Sequence, residues 1–111
     1  GKRLQQADQV LREMPFTYAL PAEQGEFQLL QGIADCLFHE DGEWVLVDYK
    51  TDQVSGFHSE KALSNEMQKR YGTQLNLYKN VLQSILAIEI KEMLLYLFDG
   101  AKTIRLQEEL V

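Results

Sequence analysis

The Asp41-Gly42 dipeptide, set between two apolar runs, constrains this chain more than any other feature. A two-residue hairpin turn needs φ > 0 at both central positions, and Asp-Gly meets that need. Before the turn, Leu29, Leu30, Ile33, Leu37 and Phe38 surround Asp35. After it, Trp44-Val45-Leu46-Val47 is aromatic and β-branched and leads into Asp48-Tyr49-Lys50-Thr51. The pattern predicts two antiparallel strands that bring Asp35 and Asp48 together at one end of a sheet. Carboxylates among apolar residues are costly to bury without compensation. A divalent cation between them would supply it, which points to a metal-dependent phosphodiesterase.

Asp48 and Lys50 are two apart, so on a strand they share a face. Mg²⁺ takes oxygen ligands and keeps several waters. Asp35, Asp48 and the Tyr49 backbone carbonyl would be the protein's share of its shell, and Mn²⁺ is an alternative ion. Lys50 would then lie beside the metal-bound water, placed to orient it and to offset charge on the phosphate. Spacing alone fits a surface hairpin equally well, with Lys50 simply paired to Asp48.

Along the rest of the chain, Lys2–Arg12 reads as helix, Glu13–Leu20 as strand, and Pro21–Gly25 as turn. Glu26–Phe38 and Trp44–Thr51 form the hairpin, with His39 in its turn. Asp52–His58 is a loop, followed by a helix from Ser59 with Glu60 in its first turn. Gly72 marks a break or bend, after which Thr73–Ala87 offers Leu75, Leu77, Leu82, Ile85 and Leu86 to a core. The unbroken apolar run Met93–Phe98 predicts a strand buried on both faces. Asp99-Gly100 turns into a last strand, Lys102–Leu106. The order predicts an α/β unit, a mixed sheet flanked by helices.

Taken in order, Gly32-Ile33-Ala34-Asp35, Val47-Asp48-Tyr49-Lys50-Thr51-Asp52 and Gln74-Leu75-Asn76-Leu77-Tyr78 resemble the motif set of RecB-family nucleases in the PD-(D/E)XK superfamily. The resemblance runs from about Glu13 to Tyr78, and the rest of the chain suits the same restriction-endonuclease-like core. It implies that Asp35 and Asp48 bind metal, that Lys50 is catalytic, and that Glu13 on the preceding strand faces the site. It implies that Gln74 and Tyr78, four apart on one helix face, contact the DNA strand. By residue type alone, a solvent-exposed Gln and a Tyr packed on the sheet are the alternative. The implied parent is a bacterial helicase–nuclease acting in double-strand-break repair and recombination. Its partners would be DNA, its own helicase domains and a second, AddB-like nuclease subunit, in the cytoplasm. The family pattern usually starts with a helix carrying a histidine, and neither His39 nor His58 stands in that place. The chain opens mid-helix without an N-cap or initiator Met. It is therefore expected to be a single partial nuclease domain, truncated at its N-terminal helix and weak or inactive alone.

The net charge of −6 opposes DNA binding in general. Between Gln53 and Asn80, however, Lys61, Lys69, Arg70 and Lys79 outnumber Glu60 and Glu66, a local surplus that permits DNA at one face. Cys36, the one cysteine, excludes an internal disulfide and a four-cysteine iron–sulfur site, and reads as a core residue. No stretch approaches the ~20 apolar residues of a membrane span. Asp52 reads as a turn residue, and Arg70 and Tyr71 as a solvated helix end. A non-cleaving DNA-binding or protein-interaction domain of the same fold is the other functional reading. A small-molecule module lacks support, since no Gly-rich phosphate loop or nucleophile–base pair is visible.

Overall fold

A computed structural model describes residues 2–109. The elements are α1 (Lys2–Gln5), β1 (Gln9–Pro21), β2 (Phe27–Glu40), β3 (Glu43–Lys50), α2 (Glu60–Leu86), β4 (Ile90–Leu97) and β5 (Lys102–Leu106). All five strands form one sheet in sequence order. Neighbours are antiparallel except β3 and β4, which run parallel. A parallel pair needs a crossover, and α2 provides it. The expected mixed α/β sheet is present. No helix among the described residues is long and apolar enough to cross a membrane.

The hairpin turn forms at Asp41 (φ 52°) and Gly42 (φ 80°), both left-handed as the dipeptide requires. It sets the register Cys36↔Val47 through Glu40↔Glu43. His39 therefore belongs to β2 and not to the turn; its ring lies 5.1 Å from that of Trp44. A second expectation also fails. The helix at the start covers only Lys2–Gln5, and Gln9–Arg12 is strand, paired with Cys36–His39. Val10 gains more from packing beside Cys36 and Phe38 than a solvated helical turn would offer.

The Ser59 hydroxyl caps α2 by accepting the Ala62 N–H at 3.0 Å, and Ala87 ends the helix in the left-handed region. Gly72 neither breaks nor bends it. A Cβ there would lie 2.3 Å from the Gln68 amide nitrogen and 3.2 Å from the Glu109 carboxylate. Gln68 in turn exchanges two hydrogen bonds with the Gln107 backbone, and Thr73 donates to Glu109. The missing side chain thus gives room for the segment after β5 to lie along the helix. One face of α2 covers the sheet, with Leu63, Met67 and Leu75 over β4 and β5, and Val81 and Leu82 over β1–β3. Leu77, two residues past Leu75 and so across the helix, is 37% exposed, and Ile85 is 42% exposed. Neither is a core residue.

The β1–β2 ribbon reverses its faces partway along. Residues two apart on a strand share a face. Yet Cys36 and Phe38 pack on the side of the sheet away from α2, while Leu30 and Ala34 pack beneath α2. On β1, Val10 joins the first group and Met14, Phe16 and Tyr18 the second. Both reversals fall at one rung, where the ladder steps from Arg12↔Cys36 to Met14↔Ala34 and leaves out Glu13 and Asp35. Glu13 has φ 50°, and this single left-handed residue re-aims the ribbon as a bulge does. Below that rung β2 no longer pairs with β3. The far half of the ribbon packs its inner side on α2 and leaves Phe27, Leu29 and Ile33 exposed on the outer side.

Gly32 makes the inner side possible, since a Cβ there would lie 2.7 Å from the Phe16 ring and 2.8 Å from the Tyr78 hydroxyl. Gly→Ala in an unobstructed strand is worth about 0.5–1 kcal/mol of stability. Here the overlap outweighs that gain, so Gly32→Ala should destabilise by about 1–2 kcal/mol and lower the urea midpoint. An unchanged or raised midpoint would show that Phe16 and Tyr78 give way freely.

Candidate active site

The β2–β3 ladder ends at Cys36↔Val47, and the next rung would pair Asp35 with Asp48. A side chain takes over from the backbone there: Asp35 Oδ2 accepts the Tyr49 N–H at 2.9 Å. Asp35 and Asp48 lie close enough to share a hydrogen bond. The Asp48 side chain is only 15% exposed, with Lys50 Nζ 3.0 Å from Oδ2. That oxygen is buried without a hydrogen-bond donor, so the ammonium offsets its charge from a direction that makes no good hydrogen bond. Burial first, and then the Asp35 carboxylate, push the Asp48 carboxyl up to about 6, against the pull of Lys50. Sequence reasoning left two accounts of Lys50 open, and the structure contains the Asp48–Lys50 pair inside the fork between β2 and β3, under α2.

These groups fit a hard divalent ion. Two carboxylates meet where one oxygen lacks a donor, and such an atom has a vacant lone pair for a cation. The N–H and C=O of a strand residue point to the same side. Since the Tyr49 N–H points at Asp35, its carbonyl faces the fork too. Asp35, Asp48 and that carbonyl would hold the ion, with water completing the shell. Among the described residues no group of three His, Cys, Asp or Glu side chains is gathered for a metal. Two carboxylates and a carbonyl suit Mg²⁺ or Mn²⁺ better than the nitrogen- and sulfur-rich sites of Zn²⁺. Glu13 stands on the rung opposite Asp35, but its side chain is exposed and it does not join the pair. His39 pairs with Asp8 at 3.1 Å, and His58 is exposed in the loop before α2.

α2 overlooks both arms of the fork. At one arm the Lys50 ammonium lies 4.6 Å from the centre of the Tyr71 ring. At the other, Tyr78 sits against Gly32 and meets Phe16 edge-on, centroids 5.0 Å apart. Gln74, three residues after Tyr71 and four before Tyr78, is exposed between them on that side of the helix. The sequence pattern brought out Gln74 and Tyr78 but missed how Asp52 and Tyr71 serve the site. Asp52 receives the Tyr71 hydroxyl at 2.8 Å and Arg70 at 2.7 Å. Burial raises the Asp52 carboxyl, but these two donors outweigh it and hold it below its ordinary value. The available signal was spacing, for Asp52 follows Lys50 by two.

The expected basic face is weaker than its count. Arg70 is held by Asp52 and by Glu66 at 2.8 Å, and Lys79, 10% exposed, is held by Glu108 at 3.0 Å. Those two cations are already neutralised within the chain. Cys36 is fully buried on the sheet face away from α2, a core residue as expected.

The Asp48 environment dictates a pH response. Its folded-state value of about 6 exceeds the ~3.9 of a free Asp, so the folded state binds the proton more tightly. Metal-free stability should therefore fall as pH rises through about 4 to 6, by roughly 2–3 kcal/mol in all. Asp48→Asn, which cannot ionise, should remove most of that slope in urea titrations at pH 4, 5, 6 and 7. A variant with the wild-type slope would place the linkage on another group.

Comparison with known proteins agrees with this architecture. The family model described as the PD-(D/E)XK nuclease superfamily matches residues 2–109. An ATP-dependent helicase/nuclease of the AddA type from Lysinibacillus sphaericus is 48% identical over 107 residues, covering 95% of this chain and 9% of its own length. The protein of the same name from Heliobacterium modesticaldum is 42% identical over 106 residues, covering 87% of this chain and 8% of its own. One from Bacillus cereus (strain AH820) is 38% identical over 122 residues, covering 97% and 10%. The chain thus spans about a tenth of the length of these relatives. With the family model spanning the whole described sheet and helix, the chain belongs to the PD-(D/E)XK nuclease superfamily.

Proposed function

We propose that this chain is the metal-dependent nuclease domain of a bacterial helicase–nuclease, hydrolysing DNA phosphodiester bonds as an exonuclease during double-strand-break repair and recombination. The observation that carries this reading is the buried Asp35–Asp48 pair, with its donorless oxygen, beside Lys50. Mg²⁺, or Mn²⁺ in its place, would supply Lewis acidity and a more acidic bound water. Asp35 and Asp48 bind the ion, with the Tyr49 carbonyl as the third protein oxygen. Lys50 orients the attacking water and offsets the charge that develops on the phosphate oxygens. Glu13, across the ladder and exposed, completes the catalytic set at its rim. Gln74 and Tyr78 hold the DNA strand, the amide by hydrogen bonding to phosphate and the phenol by stacking or by bonding a phosphate oxygen.

The surrounding assembly belongs to the same proposal. A helicase motor that feeds the strand removes the need for a strongly basic surface, which fits the net charge of −6. The helicase domains of the parent chain and a second, AddB-like nuclease chain would be its protein partners, in the bacterial cytoplasm. The histidine helix of the family would come from the parent chain and complete the metal site. A second reading, a non-cleaving DNA-binding or protein-interaction domain, draws on the neutralised Arg70 and Lys79. Activity decides between them.

In a full-length helicase–nuclease containing this domain, Asp48→Ala or Lys50→Ala should lower DNA cleavage by at least about 10²-fold while ATP-driven unwinding continues. Gel assays of cleavage and unwinding on one linear duplex would measure both. Wild-type cleavage in Lys50→Ala would remove Lys50 from the catalytic set, and in both variants would favour the second reading. Gln74→Ala and Tyr78→Phe should cut less, by about 10-fold, through weaker strand positioning, with Mn²⁺ affinity nearly intact. Calorimetry beside single-turnover cleavage separates these effects. Lost metal affinity with normal cleavage at saturating metal would reverse the assignment.

A further inference from the structure

We propose that Tyr71, held by Asp52, is a positioning residue that fixes the Lys50 ammonium between its ring face and Asp48. The inference rests on the reading of Lys50 as the group that serves the water and phosphate. A lysine carries its charge on a flexible four-carbon stem and does not hold one place unaided. Here the ammonium has two neighbours: Asp48 Oδ2 at 3.0 Å and the Tyr71 ring at 4.6 Å from its centroid. The ring face attracts a cation, and that attraction strengthens where water is thinned out. Asp48 alone makes no directional hydrogen bond to Lys50, so the ring supplies the second constraint.

The ring is itself fixed. Its hydroxyl donates to Asp52, with both carboxylate oxygens at 2.8 Å. Arg70 holds the same carboxylate at 2.7 Å, and Glu66 holds Arg70 at 2.8 Å. Asp52 follows Lys50 by two residues, so this linkage also ties the end of the β3 segment to α2. The body of the ring packs against the core cluster of Leu63, Met67, Leu75 and the β4–β5 side chains. Core packing needs only a phenyl ring. The hydroxyl, aimed at a carboxylate that also closes on the lysine-bearing strand, sets the tilt of the face that Lys50 meets.

The test combines NMR of the 111-residue chain, with lysine labelled by ¹³C, and cleavage kinetics of the full-length helicase–nuclease. A methylene held over a ring resonates upfield, so the Lys50 ε-protons should lie upfield of those of exposed lysines. Tyr71→Leu should abolish that displacement, and Tyr71→Phe should reduce it while keeping part of it. Asp52→Asn, which retains an acceptor, should resemble the wild type more closely than Asp52→Ala. In single-turnover cleavage, Tyr71→Leu should lower the chemical rate by about 10-fold with KM and Mn²⁺ affinity little changed, and Tyr71→Phe should restore part of the loss. A Lys50 resonance unmoved in Tyr71→Leu, or a raised KM with normal rate, overturns the proposal. Methyl resonances of Met67 and Leu75 report the fold; if Tyr71→Leu disturbs them, Asp52→Ala decides by the same Lys50 displacement. A wild-type protein that cuts no DNA yet shows the displacement would refute the nuclease reading and leave the positioning of Lys50 standing.

Discussion

One hydrogen bond, from the Tyr49 N–H to the Asp35 carboxylate, separates this fold from an ordinary antiparallel hairpin. At that point the backbone ladder of β2 and β3 stops and a side chain takes its place. β2 then leaves with β1, β3 continues beside β4, and the gap between them is where Asp48, Lys50 and the Tyr49 carbonyl gather. The departure needs a change in strand direction, and left-handed Glu13 provides it on the neighbouring strand. α2 spans the gap from above, which is why residues as far apart as Tyr71 and Tyr78 attend the same opening.

The electrostatics of the gap work against stability. Two carboxylates are brought together out of water, and one of them keeps an oxygen without a donor. The offset comes from elsewhere, chiefly the apolar layer between α2 and strands β3, β4 and β5. The arrangement is a store of unfavourable charge that a cation relieves, a common property of sites built for ions.

Much of this was legible in the sequence because it rests on short-range rules. Asp41-Gly42 dictates its own turn, the Asp48–Lys50 spacing dictates a shared face, and Ser59 with Glu60 announces the start of α2. The unreadable parts depend on distant partners. Gln9–Arg12 is strand because β2 offers it an edge, and no local pattern records that. Gly72 looks like a helix breaker and instead leaves room for Glu109, a residue far along the chain. The neutralising of Arg70 and Lys79 follows the same logic, since a charge count cannot tell an exposed cation from one already paired across the fold.

The outer half of the β1–β2 ribbon has a layer on one side only, and its Phe27, Leu29 and Ile33 side chains face outward. A two-stranded ribbon covered on one side is the part of such a fold that opens first, ahead of global unfolding. Asp35 is the last residue before that ribbon begins. The spacing of the two carboxylates is therefore governed by the local opening equilibrium of the ribbon as well as by the rigid central strands. Whatever covers Phe27, Leu29 and Ile33 would slow that opening and so steady the ion site from the far end of the strand.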